Sequence, residues 1–217
     1  MASSKVRAVF LDALGTLVEL EPPWVHLAAE VEREPDDEDL VRAVRKEMAY
    51  YKEHSHEGRD ADSVAALRAR CADILSWELD REVTVETMMA SIRFHPFPDV
   101  APALADLRSR GIRLVCVSNW DVSLTEVLGR CDLDNLLDGV VTSAGSGSRK
   151  PDPVIFSQAL EIAGCSADEA LHVGDTPEED VAGADAAGIR ALLLDRDGGG
   201  DIGSLAEVAS ALGGGGS

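Results

Sequence analysis

The sequence predicts an α/β fold built on a Rossmann-like parallel sheet, with an α-helical domain inserted after the first strand. Over residues 99–195, short apolar runs alternate with helix-like segments of about 10 residues, a pattern typical of βαβ units. Residues 21–94 show helical periodicity without strand signals. Several apolar runs are followed directly by charged or hydroxyl side chains, as expected where parallel strands end at a binding crevice.

Five strands are predicted for the sheet, because five apolar runs of strand length are bounded by turn-forming residues. They cover residues 6–11, 112–117, 139–142, 170–173 and 189–194. Helices are predicted between the later strands. They cover residues 100–107, 122–130 and 153–163, and a last helix runs through Ala187.

The insert between the first strand and the rest of the sheet is predicted to be helical. Residues 39–52 and 62–79 are expected to form amphipathic helices, since apolar side chains recur near helical spacing. We therefore predict an α/β core formed by residues 1–20 and 95–212, and a helical domain formed by residues 21–94. A helical hairpin that only completes the core is the alternative for this insert.

Composition limits the possible partners. The chain has 40 acidic and 20 basic residues, a formal net charge of −20, so it lacks the basic footprint of a nucleic-acid-binding protein. No apolar run approaches the roughly 20 residues that span a bilayer, and no signal-peptide core precedes the first strand. We expect a cytoplasmic protein without membrane or nucleic-acid partners. Residues 213–217 are expected to be a Gly/Ser tail or linker.

Four of the predicted strands are followed by side chains that can take part in chemistry. Asp12 follows the first strand, Ser118-Asn119 the second, Lys150 comes after the third, and Asp175 follows the fourth. Because ligands bind at the carboxyl ends of parallel strands, these groups are expected to converge on one crevice. Carboxylates, a hydroxyl and an ammonium in one crevice predict a reaction centre.

With these motifs in this order, the chain resembles the haloacid dehalogenase-like (HAD) hydrolase superfamily over nearly its whole length. The motifs are Asp12…Gly15-Thr16, Ser118-Asn119, Lys150-Pro151 and Gly174-Asp175…Asp180. The resemblance is to the subfamily I type, which implies that residues 21–94 are a helical C1 cap domain that closes over the site and selects the substrate. It also implies that Asp175 and Asp180 belong to the metal-binding acidic motif.

The residues after the first two strands suit hydrolysis through a covalent intermediate. Asp12 is the candidate nucleophile, because a carboxylate can form an intermediate that water later hydrolyses. Gly15 permits a tight turn and a close approach of the backbone, and Thr16 offers a hydroxyl to the substrate. Ser118 and Asn119 are expected to hold substrate oxygens, and the alternative for them is a cap on the following helix.

The other two motifs supply charge. Lys150 is expected to bind the transferring group and to neutralise Asp12, beside a helix start that also favours an anion. Asp12, Asp175 and Asp180 are predicted to bind Mg²⁺, which takes a few carboxylate oxygens and keeps several waters.

Three further residues near the acidic motif are given structural roles. Thr176 and Glu179 have the spacing of a capping box at a helix start, so neither is assigned to chemistry. His172 alternates within a strand and is predicted to be packed rather than catalytic.

Leu14 stands where most phosphatases of the resembled family carry a second aspartate. Phosphoryl transfer to Asp12 expels an alkoxide, which normally needs a proton, and leucine has none to give. Three explanations are open, and the first is that the leaving group needs no proton or that the acid comes from the cap or the substrate. The second is cleavage of a carbon–halogen bond, since halide leaves unprotonated, and the third is a weak or inactive relative that binds ligands or partners.

Asp175 and Asp180 favour the first of these explanations, because dehalogenases of the resembled family need no metal and lack this acidic pair. We predict an Mg²⁺-dependent, HAD-like phosphatase of small phosphorylated metabolites with Asp12 as nucleophile and an anionic small molecule as substrate. A 2-haloacid dehalogenase is the second hypothesis. A weakly active or non-catalytic binding protein is the third.

Overall fold

The computed structural model describes residues 5–212, so the predicted Gly/Ser tail at 213–217 lies outside the described residues. Seven strands are found. They are β1 (Ala8–Leu11), β2 (Val18–Leu20), β3 (Phe94–Pro96), β4 (Arg113–Ser118), β5 (Gly139–Thr142), β6 (Ala170–Gly174) and β7 (Arg190–Leu193). Five of them form one parallel sheet in the order β5-β4-β1-β6-β7. The predicted parallel α/β sheet is confirmed, with β1, the strand that Asp12 follows, at its centre.

Helices cover both faces of this sheet. The α-helices are α1 (Pro23–Glu30), α2 (Glu38–His54), α3 (Ala61–Leu79), α4 (Val85–Ser91), α5 (Val100–Ser109), α6 (Leu124–Arg130), α7 (Ser143–Ser146), α8 (Val154–Ala163), α9 (Ala182–Ala186) and α10 (Val208–Ala211). On β1, Val9 and Leu11 pack with α5, α6 and α10, whereas Ala8 and Phe10 pack with α8 and α9. The strand is buried on both sides, which explains its continuous apolar run.

Helices α1–α4 have an apolar cluster of their own. Its buried members include Leu27, Leu40, Leu67, Leu75 and Met88, one or more from each helix. Among the helices of residues 5–212, none has the length and apolar composition to cross a bilayer.

A two-stranded antiparallel sheet joins the two ends of the helical insert, and the sequence did not predict it. Strand β2 enters the insert and β3 leaves it, with Glu19 opposite His95. Each strand has only three residues, too few to show a periodicity of two. Because β3 begins at Phe94, it lies across the predicted domain boundary between residues 94 and 95.

Candidate active site

The predicted residues meet at the carboxyl edge of the parallel sheet. The Lys150 Nζ atom donates to Asp12 Oδ1 at 2.6 Å and to Asp180 Oδ1 at 2.5 Å. The buried Ser118 side chain lies near the Asp12 carboxylate and acts to lower its pKa. The carboxylate of Asp175 completes the group, because an oxygen of it lies within 4.8 Å of oxygens from Asp12 and Asp180.

Lys150 is a fully buried ammonium, with 1% of its side chain exposed. Burial alone would lower its pKa, but the adjacent charges of Asp12 and Asp180 outweigh burial and raise the pKa above its usual range. The side chain therefore stays protonated. A buried charge of this kind is tolerated only when it is paired and hydrogen-bonded, as it is here.

Asn119 fixes the backbone on which Lys150 is carried. The Lys150 amide donates to Asn119 Oδ1 at 2.8 Å, and Asn119 Nδ2 donates to the Lys150 carbonyl at 3.0 Å. The same Nδ2 also donates to Glu179 Oε2 at 3.0 Å. The helix-capping alternative is wrong for Asn119, because its amide faces the Lys150 loop. Binding of substrate oxygens by Asn119 stays a prediction.

Asp180 is held by three donors. Its Oδ1 accepts from Lys150 and from His172 Nε2 at 2.9 Å, and its Oδ2 accepts from the Thr176 amide at 3.0 Å. Burial raises the pKa of Asp180, but the hydrogen bond from His172 and the charge of Lys150 outweigh burial and bring the pKa below its usual range. Asp180 is therefore ionised and fixed in place.

His172 is packed, as the sequence predicted, but it also supports the site. Its ring is fully buried and meets Phe156 edge-on at 5.0 Å between centroids. Burial lowers its pKa, so the ring is neutral, and its hydrogen bond to ionised Asp180 assigns the proton to Nε2. Alternation within a strand could not reveal a partner eight residues away.

The predicted capping box at Thr176 and Glu179 is wrong. The Thr176 hydroxyl donates to Asp175 Oδ1 at 3.1 Å, while Glu179 accepts from Asn119 and lies 3.3 Å from Lys52 Nζ. A π-helical turn, Pro177–Val181, replaces the first α-helical turn. Both side chains therefore bond to residues at the site and do not cap the helix. Sequence reasoning missed Glu179 as a site residue, because its spacing from Thr176 is also that of a capping box.

The three carboxylates of the site carry more charge than the lysine can balance. Three aspartates and one lysine give a local net charge of −2 when all are ionised. Burial raises the pKa of Asp12 although the charge of Lys150 opposes it, and partial desolvation followed by the charge of Asp12 raises the pKa of the more exposed Asp175. A divalent cation among these oxygens would balance the charge and match the oxygen donors that Mg²⁺ prefers.

Two glycines make room for these carboxylates. Gly15 has φ of +83°, and a Cβ atom there would lie 2.0 Å from Asp175 Oδ2. A Cβ atom at Gly174 would lie 2.1 Å from Asp180 Cγ. The prediction of a tight turn and close approach at Gly15 is confirmed, and the group that approaches is Asp175.

Leu14 and Thr16 flank the turn at Gly15. The Leu14 side chain is unusually open for a leucine, at 41% exposure. Thr16 is fully buried, and its hydroxyl has no hydrogen-bond partner within residues 5–212. Buried hydroxyls are normally bonded, so this one is consistent with the predicted role of Thr16 in substrate binding, which stays a prediction.

A family model for haloacid dehalogenase-like hydrolases matches residues 6–188. The chain belongs to this family. The match includes the helical insert, every candidate site residue and four of the five strands of the parallel sheet. Only β7 of that sheet lies outside it. The family predicted from the motif order is therefore confirmed.

Two curated relatives of this HAD-like protein are phosphatases by name. Glyceraldehyde 3-phosphate phosphatase of Methanothermobacter thermautotrophicus is 38% identical over 103 residues, which are 47% of this chain and 46% of that relative. Phosphoserine phosphatase of Thermus thermophilus is 35% identical over 121 residues, 55% of this chain and 48% of that relative. The chain thus spans about half the length of the curated relatives it matches.

Solved structures show how widely the fold is shared. L-2-haloacid dehalogenase of Xanthobacter autotrophicus aligns with a TM-score of 0.72 and 21% identity, covering 97% of this chain and 100% of that one. A HAD phosphatase of Thermococcus onnurineus aligns with a TM-score of 0.68 and 24% identity, covering 96% and 99%. One fold therefore accommodates both candidate chemistries, and the choice between them depends on the site.

Proposed function

We propose that this HAD-like hydrolase is an Mg²⁺-dependent phosphatase of small phosphorylated metabolites, with Asp12 as its nucleophile. The observation that carries the proposal is the excess of negative charge where Asp12, Asp175 and Asp180 face each other around Lys150. A haloacid and a phosphate ester are both anions, so either would add to that excess unless a cation binds. A phosphatase site gains from a cation that also neutralises the phosphoryl oxygens.

The proposed reaction proceeds through Asp12 in two displacements. A carboxylate oxygen of Asp12 attacks phosphorus, the bond from phosphorus to the ester oxygen breaks, and the alkoxide takes a proton from solvent or from the substrate. Water then hydrolyses the aspartyl phosphate, which releases inorganic phosphate and restores Asp12. Throughout, Lys150 keeps a positive charge 2.6 Å from Asp12 Oδ1, and Ser118 lies beside the same carboxylate.

Asp12 and Asp175 are the residues best placed to hold Mg²⁺ directly. Asp180 already accepts hydrogen bonds from Lys150, His172 and Thr176, so its main proposed task is to orient Lys150 and to add charge. When bound, Mg²⁺ supplies positive charge to the phosphoryl oxygens and to Asp12. We also propose that the insert, residues 21–94, is the cap that closes over this site. The cytoplasmic location stays a prediction.

The first test is a turnover screen of phosphate esters and 2-haloacids, each with and without Mg²⁺. The proposal expects phosphate release that depends on Mg²⁺ and that Asp12→Asn abolishes, because an amide is a very poor nucleophile. Asp106→Asn, an exposed change on α5, is the matched control and should leave turnover intact. Turnover by the Asp12→Asn variant at the parent rate would contradict the proposed mechanism.

The second test measures metal binding without turnover. At a concentration 100 times its Kd, Mg²⁺ should stabilise the protein by about 2.7 kcal/mol, which raises the Tm by several degrees. NaCl at matched ionic strength separates this effect from simple screening of the net charge of −20. Asp175→Asn should remove the Mg²⁺-specific part. Equal Tm shifts with both salts in the parent would count against the metal site.

A 2-haloacid dehalogenase is the second candidate, and Leu14 is the observation that favours it. Halide leaves without a proton, so a leucine at this position would not hinder the reaction. In that case the screen would find halide release without Mg²⁺ and no phosphate release.

A further inference from the structure

We propose that a small cleft beside the active site binds an oxyanion, and that this oxyanion is a second anionic group of the substrate, a carboxylate or a phosphate. The side cleft has a volume of about 70 Å³. It is lined by His56, Arg59, Ser143, Gly147, Ser148 and Arg149. The assignment to the substrate rests on the proposed phosphatase function, whereas oxyanion binding by the cleft does not.

Two buried polar atoms in the lining residues need a partner. His56 Nδ1 and Ser148 Oγ are both buried, and neither has a hydrogen-bond partner within residues 5–212. Burying a polar atom without a hydrogen bond is unfavourable, so such atoms in native proteins usually meet a ligand or a water. An imidazole N–H and a serine hydroxyl can both donate, and an oxyanion can accept from both.

The charge of the side cleft selects an anion. Its six lining residues include two arginines and no acidic residue, although the chain has twice as many acidic as basic residues. Arg59 lines the cleft with an exposed side chain, and its Nε donates to the His56 carbonyl at 3.4 Å. Arg149 lies 4.0 Å from the Glu179 carboxylate, too far for a hydrogen bond. Guanidinium groups are well suited to bind carboxylate and phosphate.

The side cleft lies at the same sheet edge as Asp12. Arg149 directly precedes Lys150, so their Cα atoms are about 3.8 Å apart. Ser143 directly follows β5, and its hydroxyl donates to the Trp120 carbonyl, two residues beyond Ser118. These neighbours place the cleft beside the loops that carry Lys150 and Ser118, and the substrate assignment requires that a molecule held at Asp12 extend its second anionic group toward it.

The size of the side cleft limits what can enter it. A cavity of about 10–15 Å³ in this measure admits one water, so the cleft of about 70 Å³ has room for a small group such as a carboxylate or a phosphoryl group. His56 and Arg59 belong to the helical insert, whereas Ser148 and Arg149 belong to the α/β core. An anion bound between them would join the insert to the core, and binding of a doubly anionic substrate would favour closure.

The direct test uses the His56 imidazole as a local reporter by NMR. Inorganic phosphate and, separately, acetate are titrated into the full chain in EDTA without Mg²⁺. The proposal expects a saturable shift of the His56 signal with at least one of the two, and which one responds identifies the preferred oxyanion. Arg59→Gln or Arg149→Gln should raise the Kd about tenfold or more, whereas Arg110→Gln, an exposed change just after the end of α5, should not.

A kinetic test connects the cleft to the substrate. Phosphoglycolate and 2-hydroxyethyl phosphate differ in one carboxylate, so the parent enzyme should prefer phosphoglycolate, through KM. Arg149→Gln should reduce this preference about tenfold, Arg149→Lys should restore part of it, and Arg110→Gln should keep it. Circular dichroism confirms that each variant is folded.

The outcomes separate the two proposals. If the His56 signal does not move with either anion, the inference is overturned, whatever the enzyme hydrolyses. Should His56 respond while no phosphate ester is hydrolysed, the oxyanion cleft stands and both the phosphatase proposal and the substrate assignment fall. An active phosphatase whose preference is the same in the parent and in Arg149→Gln would overturn the substrate assignment.

Discussion

One buried ammonium controls the charge balance among three carboxylates. Lys150 separates Asp12 from Asp180, with Nζ within 2.6 Å of an oxygen of each. Without it, two buried negative charges would face each other unpaired, and removal of one partner from a buried ion pair typically costs about 3–5 kcal/mol. The position of Nζ in turn depends on the loop that carries Lys150, and Asn119 holds that loop.

The first prediction concerns Asn119→Ala. The change removes both hydrogen bonds to the Lys150 backbone and leaves Glu179 without its Asn119 donor. Unfolding in urea should show a loss of about 1–3 kcal/mol, and kcat should fall because Nζ is no longer held against Asp12. Asn135→Ala is the control, since exposed Asn135 only donates to its neighbour Asp134. Equal stability and kcat in the two variants would contradict the positioning role.

The second prediction concerns the absent acid at Leu14. Leu14 is 41% exposed, so a carboxylate there can be accommodated without being buried. If departure of the alkoxide limits the rate, Leu14→Asp should increase turnover of alkyl phosphates, because general acid catalysis typically contributes about 10²–10⁴-fold. Activated aryl phosphates, whose leaving groups need little protonation, should gain much less.

The contrast between the two ester classes is the measurement that decides this prediction. A new carboxylate near Asp12 can raise its pKa and alter Mg²⁺ affinity, so stability and metal binding are measured in parallel. A folded, metal-binding Leu14→Asp variant with no selective gain on alkyl esters would show that Leu14 does not limit the chemistry.

At the scale of elements, the end of β6 and the turn after it form one unit. The strand ends at Gly174, and the π-helical turn Pro177–Val181 returns the chain so that Asp180 lies against that glycine. The Thr176 amide closes the unit through its hydrogen bond to Asp180 Oδ2. A side chain larger than hydrogen at Gly174 would therefore move a carboxylate of the site.

The third prediction compares two glycine substitutions. Gly174→Ala should destabilise the protein and weaken Mg²⁺ binding, because its Cβ would lie 2.1 Å from Asp180 Cγ. Gly129→Ala in α6 is the matched control, since its Cβ would meet its nearest atoms at 3.9 Å. That control should be neutral or should stabilise the protein by about 0.5–1 kcal/mol. Thermal unfolding with and without Mg²⁺ measures both effects, and unchanged Mg²⁺ affinity in Gly174→Ala would contradict the role of this contact.

The same elements show what the sequence could and could not predict. The inner strands β4, β1 and β6 were found because burial on both faces demands a continuous apolar run, and the partly buried edge strands β5 and β7 were found from apolar runs bounded by turn-forming residues. The convergence of Asp12, Ser118, Lys150 and Asp175 followed from strand direction alone. The link between Asn119 and Lys150 could not be found, because it joins loops 31 residues apart and depends on side-chain geometry. At Glu179, the spacing fits both a capping box at an α-helix start and the observed π-helical turn, in which Glu179 accepts from Asn119.

At the scale of the whole molecule, two apolar clusters are joined by few polar contacts. One cluster lies among α1–α4 and the other lies between the parallel sheet and α5, α6 and α10, and Tyr51 packs against both. The Tyr51 hydroxyl donates to Asp121 Oδ2 at 3.0 Å, and the Val122 amide donates to the Gly58 carbonyl at 3.0 Å. These contacts hold the insert against the loop that follows β4, next to Ser118.

The Tyr51 hydroxyl is suited to act as a tether. Burial raises the pKa of Tyr51 well above its usual value, and the charge of Asp121 raises it further, so the hydroxyl stays protonated and able to donate. Asp121 has a second partner in the Ser123 amide, at 2.7 Å, and would remain bonded if the tyrosine hydroxyl were removed. Tyr51→Phe therefore removes one contact between insert and core with little other change.

The last prediction compares Tyr51→Phe with the control Tyr50→Phe. The control also removes one hydroxyl but keeps the residue-50 ring, which stacks on His54 at 4.2 Å between centroids. If the insert opens and closes over Asp12, loss of the tether should favour the open state. Amide hydrogen exchange should then rise at residues 55–58 in Tyr51→Phe, by up to about tenfold for a bond worth 0.5–1.5 kcal/mol.

Tyr50→Phe should leave that exchange unchanged, because it keeps the tether. Turnover adds a second readout, since more frequent opening should raise KM for substrates that need closure. Equal exchange at residues 55–58 in both variants, with both folded, would show that the tether does not control the insert. Apolar packing around Tyr51 would then hold the insert without help from the polar contacts. Closure would have to depend on β2 and β3, the strands at the two ends of the insert.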